Sequence, residues 1–236
     1  NIKIALNTQL MAGNLKEAAR VKLLASMTDD VSELVLEDNR LQTLALSVAE
    51  SGGVSDLPAY VRLTDTFEVM GKLDRVVEGI ASRDELLRRA MDDRGMMRPE
   101  LSVLLSTAKM VAQDAIEDSA FISDDGMEQE LLAAFPLALV KKHKEAILNH
   151  RLRPQIIATK LANRMINRLG MLHPFELAEE EGCELDEVAS AFVLADRLFG
   201  MTSLWNAIEG GNMPESARLL LFSEAANEMR AQMADV

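Results

Sequence analysis

The chain has 236 residues, 48% of them hydrophobic and 27% charged, so it is long enough to bury a core and too apolar to remain disordered. Its 25 basic and 38 acidic residues give a formal net charge of −13, which excludes a surface built throughout to attract nucleic acid or anionic lipid. The single cysteine, Cys183, excludes an internal disulfide. Aromatic residues make up only 4%, so helix formers dominate and we expect an all-α fold.

Residues that start and stop helices divide the sequence into segments with short connectors, which predicts a non-repeating domain of many packed helices. The first stretch fits a strand through Ile2, Ile4 and Leu6, but Ile2, Leu6 and Leu10 also fit helical spacing, and we favour a helix. In chain order the predicted helices cover residues 2–12, 15–26, 28–51, 56–70, 73–79, 83–92, 99–116, 123–135, 137–148, 154–169, 175–181, 187–199, 204–209 and 214–225.

Specific side chains are expected to begin several of these helices. Thr28 caps the third predicted helix and Ser82 caps the sixth, because a hydroxyl accepts a hydrogen bond from a free backbone N–H of the first turn. Either Thr202 or Ser203 is expected to cap the helix before Gly210-Gly211. His173-Pro174 is expected to form a turn, and Asp186 to begin the helix that follows.

The sequence shows no motif for binding a nucleotide and no activated nucleophile. Its twelve glycines never fall in the patterns that cradle phosphates. His143 and His150 would share a metal-binding face only if one helix extends to His150, and surface or helix-end positions are the expected alternative. Acidic neighbours raise the pKa of the Cys183 thiol, which argues against a catalytic cysteine.

The acidic residues around Cys183 are expected to form a solvated turn, with a divalent-ion site as the alternative. They are Glu179, Glu180, Glu181, Glu184, Asp186 and Glu187. Asn39, Asn163 and Asn167 are expected to be buried amides that tie helices together by hydrogen bonds.

Basic residues concentrate between positions 141 and 168, where eight cations accompany one acid, so this segment carries +7 and the rest of the chain −20. Lys160, Arg164 and Arg168 recur every four residues and therefore share one helix face. The functional interpretation is a stripe that docks an acidic partner or another domain, or binds an anionic ligand, formed by Arg151, Arg153, Lys160, Arg164 and Arg168. The interpretation that we favour is that the stripe pairs with acidic helices of the same chain. The stripe has no aromatic stacking residues, which argues against nucleic acid.

Several short motifs stand along the chain in a fixed order. They are Asn1-Ile2-Lys3-Ile4, Ser26-Met27-Thr28-Asp29-Asp30-Val31, Val35-Leu36-Glu37-Asp38-Asn39, Leu41-Gln42-Thr43, Arg98-Pro99-Glu100-Leu101-Ser102, Phe135-Pro136, Ile156-Ile157-Ala158-Thr159-Lys160-Leu161-Ala162-Asn163, Phe199-Gly200 and Leu204-Trp205. Together they resemble the large bacterial NAD-specific glutamate dehydrogenases over almost the whole chain. The sequence departs from the family near Thr107, where an aromatic residue is common, and at Met171-Leu172-His173-Pro174.

The resemblance implies a C-terminal piece of a very long enzyme that oxidatively deaminates L-glutamate to 2-oxoglutarate and ammonia and transfers hydride to NAD. It implies that the catalytic and NAD-binding residues lie upstream, so this chain is expected to contain none, to bind no NAD and to be inactive alone. The implied partners are the upstream catalytic domain of the same polypeptide and further copies in a homo-oligomer, with no nucleic acid and no membrane. A cytoplasmic location is expected, since cysteine is scarce and no apolar run reaches membrane-spanning length.

We therefore expect residues 1–26 to be the tail of a Rossmann-type dehydrogenase domain and residues 27–236 to be a C-terminal helical domain. This helical domain is expected to brace the catalytic domain and to support interdomain or subunit contacts. The alternative is a regulatory module that binds an anionic effector at the basic stripe within residues 141–168.

Overall fold

The structure, a computed structural model, describes residues 1–235. They form thirteen α-helices and no β-strand, so the all-α prediction is confirmed. The helices are α1 (Ile2–Met11), α2 (Glu17–Ser26), α3 (Thr28–Ser51), α4 (Leu57–Val69), α5 (Arg83–Met91), α6 (Arg98–Glu117), α7 (Glu128–Ala133), α8 (Leu137–Leu148), α9 (Arg153–Leu169), α10 (His173–Glu181), α11 (Leu185–Phe199), α12 (Met201–Gly210) and α13 (Glu215–Ala234). None of these helices has both the length and the apolarity that crossing a bilayer requires.

Helix α9 lies at the centre of the fold. It contacts α3, α6, α7, α10, α11 and α13, and its most extensive contact is with α6. Alanines four residues apart are fully buried on both members of that pair, at Ala108 and Ala112 on α6 and at Ala158 and Ala162 on α9. Small residues in this spacing let two helices approach closely along their length. The α6–α9 pair therefore forms the core around which α3, α7, α10, α11 and α13 pack.

One continuous cluster of buried side chains joins distant parts of the chain. It includes Leu6 of α1, Leu44 of α3, Leu161 of α9 and Trp205 of α12. The first three helices and the later ones therefore contribute side chains to the same buried cluster.

The start of α6 ties the middle of the chain to this core. Glu100 is only 3% exposed, and its carboxylate accepts hydrogen bonds from the backbone N–H groups of Met97 (2.7 Å) and Ala81 (2.9 Å). Arg89 of α5 donates to the same carboxylate at 2.8 Å. Arg98 reaches the other way and forms an ion pair with Glu50 of α3 at 2.7 Å. These three hydrogen bonds from the protein replace the ones that the Glu100 carboxylate would make with water.

The predicted helix over residues 73–79 is wrong, because side chains hold this segment in turns. The Asp74 carboxylate accepts from the backbone N–H groups two and three residues further on, at 3.0 and 3.1 Å. The Arg75 guanidinium folds back onto Glu68 and Asp65 of α4, at 2.6 Å to each. These local hydrogen bonds compete with the helical ladder.

The predicted helix over residues 123–135 is also shorter than expected. Only α7 is α-helical there, and two 3₁₀ turns, Ala120–Ser123 and Asp125–Met127, precede it. Pro136 separates α7 from α8 as predicted. Within α8 the backbone leaves helical values at His143 (φ −136°, ψ 34°), so this helix is kinked.

Four predicted helix starts differ from the structure. Thr28 lies inside α3, and its hydroxyl donates to the Ala25 carbonyl instead of capping the helix. The predicted cap of α5 is confirmed, since Ser82 accepts a hydrogen bond from the Glu85 N–H at 3.3 Å. The helix after His173-Pro174 begins at His173 itself, because proline is favoured in a first turn. Helix α11 begins at Leu185, since Glu184 and Glu187 form a reciprocal capping box there. Helix α12 begins at Met201, because the Asp196 carboxylate accepts a hydrogen bond from the Thr202 N–H in its first turn.

The central position of α9 leads to a stability prediction. Leu161→Ala removes a side chain with 0% exposure and is expected to lower the free energy of unfolding by about 3 kcal/mol, because lost burial and a new cavity add. Leu87→Ala removes the same atoms from a residue that is 66% exposed and is expected to change stability by less than about 0.5 kcal/mol. Urea unfolding followed by circular dichroism measures both. Equal effects of the two substitutions would contradict the central role of α9.

Candidate functional site

The five residues of the predicted stripe have different surroundings. Lys160, Arg164 and Arg168 on α9 each contact an acid of the same chain. Arg153, at the start of α9, donates to the backbone carbonyls of Ile122 and Asp124, both at 3.3 Å. Arg151 precedes α9 and is exposed. Only three of the five residues therefore lie together as one charged cluster.

Arg164 joins three helices. Its guanidinium lies 2.9 Å from Glu130 of α7 and 3.2 Å from Asp196 of α11, and both carboxylates are at most 10% exposed. The guanidinium also lies 5.3 Å from the ring centre of Phe192, in the range of a cation–π contact. A single arginine thus holds α7 and α11 against α9.

Arg168, one turn later, is more deeply enclosed. Its side chain is 10% exposed and forms an ion pair with Glu209 of α12, whose side chain is 6% exposed. The guanidinium lies beside the packed rings of Trp205 and Phe222, 5.5 and 5.7 Å from their centres. Burial lowers its pKa to about 10, so the group remains a cation at neutral pH.

Asp196 explains why α12 starts earlier than predicted. Its carboxylate accepts from the Thr202 backbone N–H at 2.6 Å and from the Thr202 hydroxyl at 2.8 Å. The cap of α12 is therefore a carboxylate from the preceding helix, and the predicted caps Thr202 and Ser203 lie within α12. Since Asp196 also binds Arg164, the start of α12 is linked directly to α9.

Glu209 receives a second cation from α3. Arg40 forms an ion pair with Glu209 and another with Glu37 at 2.7 Å. Lys160 adds a longer contact to α3, 3.7 Å from Asp38. The cluster thus connects α3, α7, α9, α11 and α12 through charged groups.

These contacts are the same-chain pairing that the sequence favoured. An external anion would have to displace Glu209 to pair with Arg168, whereas the Arg164 side chain remains 30% exposed. Docking or anion binding at the stripe stays a prediction. The acids of this cluster were not singled out from the sequence, because they lie 32 to 41 residues from their arginines and no local spacing marks them.

The other singled-out polar residues are dispersed. His150 is 5% exposed, lies beyond the end of α8 and contacts the Asn1 carbonyl through Nε2 at 3.1 Å, so His143 and His150 share no helix face. Burial and then Glu187 raise the pKa of Cys183, as predicted. Five of the six acids near Cys183 are exposed, as expected, but only Glu184 lies in the connector, since the others belong to the end of α10 and the start of α11. Within residues 1–235 no three His, Cys, Asp or Glu side chains are placed to hold a metal.

The asparagine prediction is only partly correct. Asn39 is exposed, so it is not a buried amide that joins two helices, and Asn163 is half-buried. Asn167 is 3% exposed as expected, but its Oδ1 has no hydrogen-bond partner among residues 1–235. Asn39 is exposed because the part of α3 that carries it does not enter the core.

The residues of this chain do not fit a dinucleotide. The dinucleotide site of a Rossmann-type domain needs a strand followed by a Gly-rich turn and a helix, and residues 1–235 contain no strand. A cleft of about 500 Å³ lies between α3, α9, α10 and α13, lined partly by Asn167 and His173. The guanidinium that borders it, Arg168, is already paired with Glu209.

The fold and the charge cluster define an all-α region in which buried ion pairs join helices. Residues 93–234, which contain α6 to α13, match the family described as "Glutamate dehydrogenase, C-terminal". Residues 1–49, which contain α1, α2 and most of α3, match "Bacterial NAD-glutamate dehydrogenase, catalytic domain". The chain belongs to the glutamate dehydrogenase C-terminal family. The predicted domain boundary after residue 26 stays a prediction.

Individual relatives agree with this assignment. The chain is 37% identical over 209 residues to the NAD-specific glutamate dehydrogenase of Halomonas elongata, covering 89% of this chain and 13% of that protein. It is 36% identical over 226 residues to that of Pseudomonas aeruginosa, covering 95% and 14%, and 29% identical over 214 residues to that of Mycobacterium tuberculosis, covering 91% and 13%. The resemblance predicted from the motifs is confirmed, and the chain spans about a seventh of these relatives.

The buried pair Arg168–Glu209 leads to a double-mutant prediction. Arg168→Met is expected to lower the free energy of unfolding by about 3 kcal/mol, because it leaves a buried carboxylate with one fewer cation. Glu209→Gln in the same chain is expected to recover part of that loss, giving a coupling of about 1.5 kcal/mol. The exposed pair Arg94–Asp92, both 67% exposed, serves as the control with a coupling below about 0.5 kcal/mol. Urea unfolding of each single and double variant measures these couplings, and equal couplings for the two pairs would contradict the proposed importance of burial.

The histidine at the start of α10 predicts a pH dependence. Burial, reinforced by Arg230 and opposed by Glu180, lowers the pKa of His173 from 6.5 to about 4. Between pH 4 and pH 6.5 the unfolded chain binds more protons than the folded one. The contribution of His173 to the free energy of unfolding is therefore complete above about pH 6.5 and is lost as the pH falls toward 4.

Stability is therefore expected to fall by about 2 kcal/mol between pH 7 and pH 5 through His173. His173→Gln should remove this part of the slope, whereas His143→Gln should keep it. Denaturant midpoints measured at both pH values provide the check. An unchanged slope in His173→Gln would show that His173 is not buried as the neutral form.

Proposed function

We propose that this chain is the non-catalytic helical region of an NAD-dependent glutamate dehydrogenase, where it braces the catalytic domain and supports interdomain or subunit contacts. In this proposal the whole enzyme oxidatively deaminates L-glutamate to 2-oxoglutarate and ammonia, and transfers hydride to NAD bound outside this chain. The observation that carries the proposal is that stretches matching two different parts of one enzyme share a single core.

Helix α3 is the element that supports a bracing role. Its first 22 residues lie in the stretch that matches the catalytic domain. Its C-terminal half buries Leu44, Ala45, Leu46 and Ala49 and packs against α6, α9 and α13 of the other matched stretch. Arg40 and Asp38 add charged contacts to α12 and α9. Because α3 is one continuous helix that begins in the first matched stretch and is buried against the second, the two stretches are held in a fixed relative position.

The proposal predicts that damage to the helical core weakens the enzyme without altering its chemistry. In the full-length polypeptide, Leu161→Ala is expected to lower the temperature of half-inactivation by about 5 °C or more, with KM and kcat at 25 °C little changed. Leu87→Ala, the exposed control, is expected to leave that temperature unchanged. The 236-residue chain alone is expected to reduce no NAD when supplied with L-glutamate.

Two results would contradict the proposal. Equal inactivation temperatures for Leu161→Ala and Leu87→Ala would argue against bracing. Reduction of NAD by the 236-residue chain would argue against a non-catalytic region. Both measurements use absorbance of the reduced cofactor at varied temperature and glutamate concentration.

A further inference from the structure

The N-terminal half of α3 stands outside the core although it carries large apolar side chains. The buried residues of α3 begin only at Leu44. Before them, Leu34, Val35 and Leu36 are 36%, 54% and 67% exposed. Three consecutive helical residues spread over about 200° of the helix circumference. A protein segment that covers all three must therefore reach more than one side of α3.

A groove of about 820 Å³ separates this half of α3 from the start of α8. Leu34 lines it from α3, and Pro136 and Leu137 line it from the start of α8. Leu137 is 62% exposed. These residues define what we call the α3–α8 groove, and exposed apolar side chains gathered in one concave place mark a protein contact.

The two sides of the α3–α8 groove carry opposite charges. Asp30, Glu33 and Glu37 line the α3 side, and Lys141 and Lys142 line the α8 side. Both lysines are exposed. The complementary occupant is an amphipathic segment with basic side chains facing α3, acidic side chains facing α8 and an apolar ridge between them.

The position of the α3–α8 groove selects its occupant. One side belongs to the stretch that matches a catalytic domain, and the other to the stretch that matches the C-terminal family. Helices α1 and α8, from the same two stretches, already pack against each other. The curated relatives contain far more chain, since these residues cover only 13 to 14% of them.

We propose that the α3–α8 groove holds an amphipathic helical segment of the catalytic domain of the same polypeptide. This inference rests on the proposed function and adds the place of contact and the chemistry of the partner. The exposed half of α3 is about 20 Å long, enough for roughly three helical turns of the partner. The contact would also surround Leu34, Val35 and Leu36.

Cysteine labelling tests the proposal. Leu34→Cys and Leu137→Cys are introduced separately into the 236-residue chain and into the full-length polypeptide, and modification by N-ethylmaleimide is followed by peptide mass spectrometry. Both positions are expected to react at least tenfold more slowly in the full-length polypeptide. Leu87→Cys is the matched control, since Leu87 is 66% exposed on α5, and it is expected to change less than twofold.

Acetylation of Lys141 and Lys142 in the unsubstituted proteins, with Lys72 as reference, gives the same comparison without any mutation. Equal reaction rates at the groove in both chains, or equal protection at Leu87→Cys, would overturn the proposal. Protection in the 236-residue chain that grows with its concentration would overturn it in favour of a second copy. An open groove together with a Leu161→Ala effect on inactivation would refute this contact and leave the proposed function standing.

Discussion

A carboxylate removed from water needs a cation or hydrogen-bond donors within the protein. Glu130, Asp196 and Glu209 come from three different helices, are each at most 10% exposed and are paired with Arg164 or Arg168 of α9. Removing one partner of such a buried pair leaves an uncompensated charge, which costs several kilocalories per mole. The positions of α7, α11 and α12 are therefore coupled to α9 by charge as well as by apolar packing.

The same cluster shows how the charges behind the net charge of −13 are distributed in the fold. Half of the eight cations in the basic segment pair with acids of the same chain, namely Lys144, Lys160, Arg164 and Arg168. Acids elsewhere, as around Cys183 and on the exposed half of α3, remain in water. The contrast between a positive segment and a negative remainder is thus in part an internal organisation of the fold.

Residues 50–92 lie outside both family matches, yet they are joined firmly to the rest. Arg89 and Ala81 both bind the buried Glu100 carboxylate. The turn at Gly95 packs so closely on Gly53 that an added Cβ would lie 2.5 Å from the Gly53 carbonyl oxygen. Only glycine fits this approach without a backbone shift. The segment between the matches is therefore a structural part of the helical core.

The sequence alone determined the helical class, most helix positions and the family, because these depend on local periodicity, caps and ordered motifs. Ser82 and Pro99, for example, act within a few residues of their own position. It also placed Lys160, Arg164 and Arg168 on one face of α9. Where sequence reasoning was wrong, at residues 73–79 and 123–135, side-chain hydrogen bonds and 3₁₀ turns replaced the expected helix.

Only the tertiary structure decided what the α9 arginines contact and what begins α12. Asp196 caps α12 and binds Arg164, and Glu209 joins Arg168 to Arg40, across separations that no local pattern encodes. The tertiary structure also decided which apolar residues remain exposed. Leu34 and Leu44 look alike in the periodicity of α3, but only Leu44 has helices packed around it. Burial depends on what the rest of the chain brings alongside, and that is a property of the whole fold.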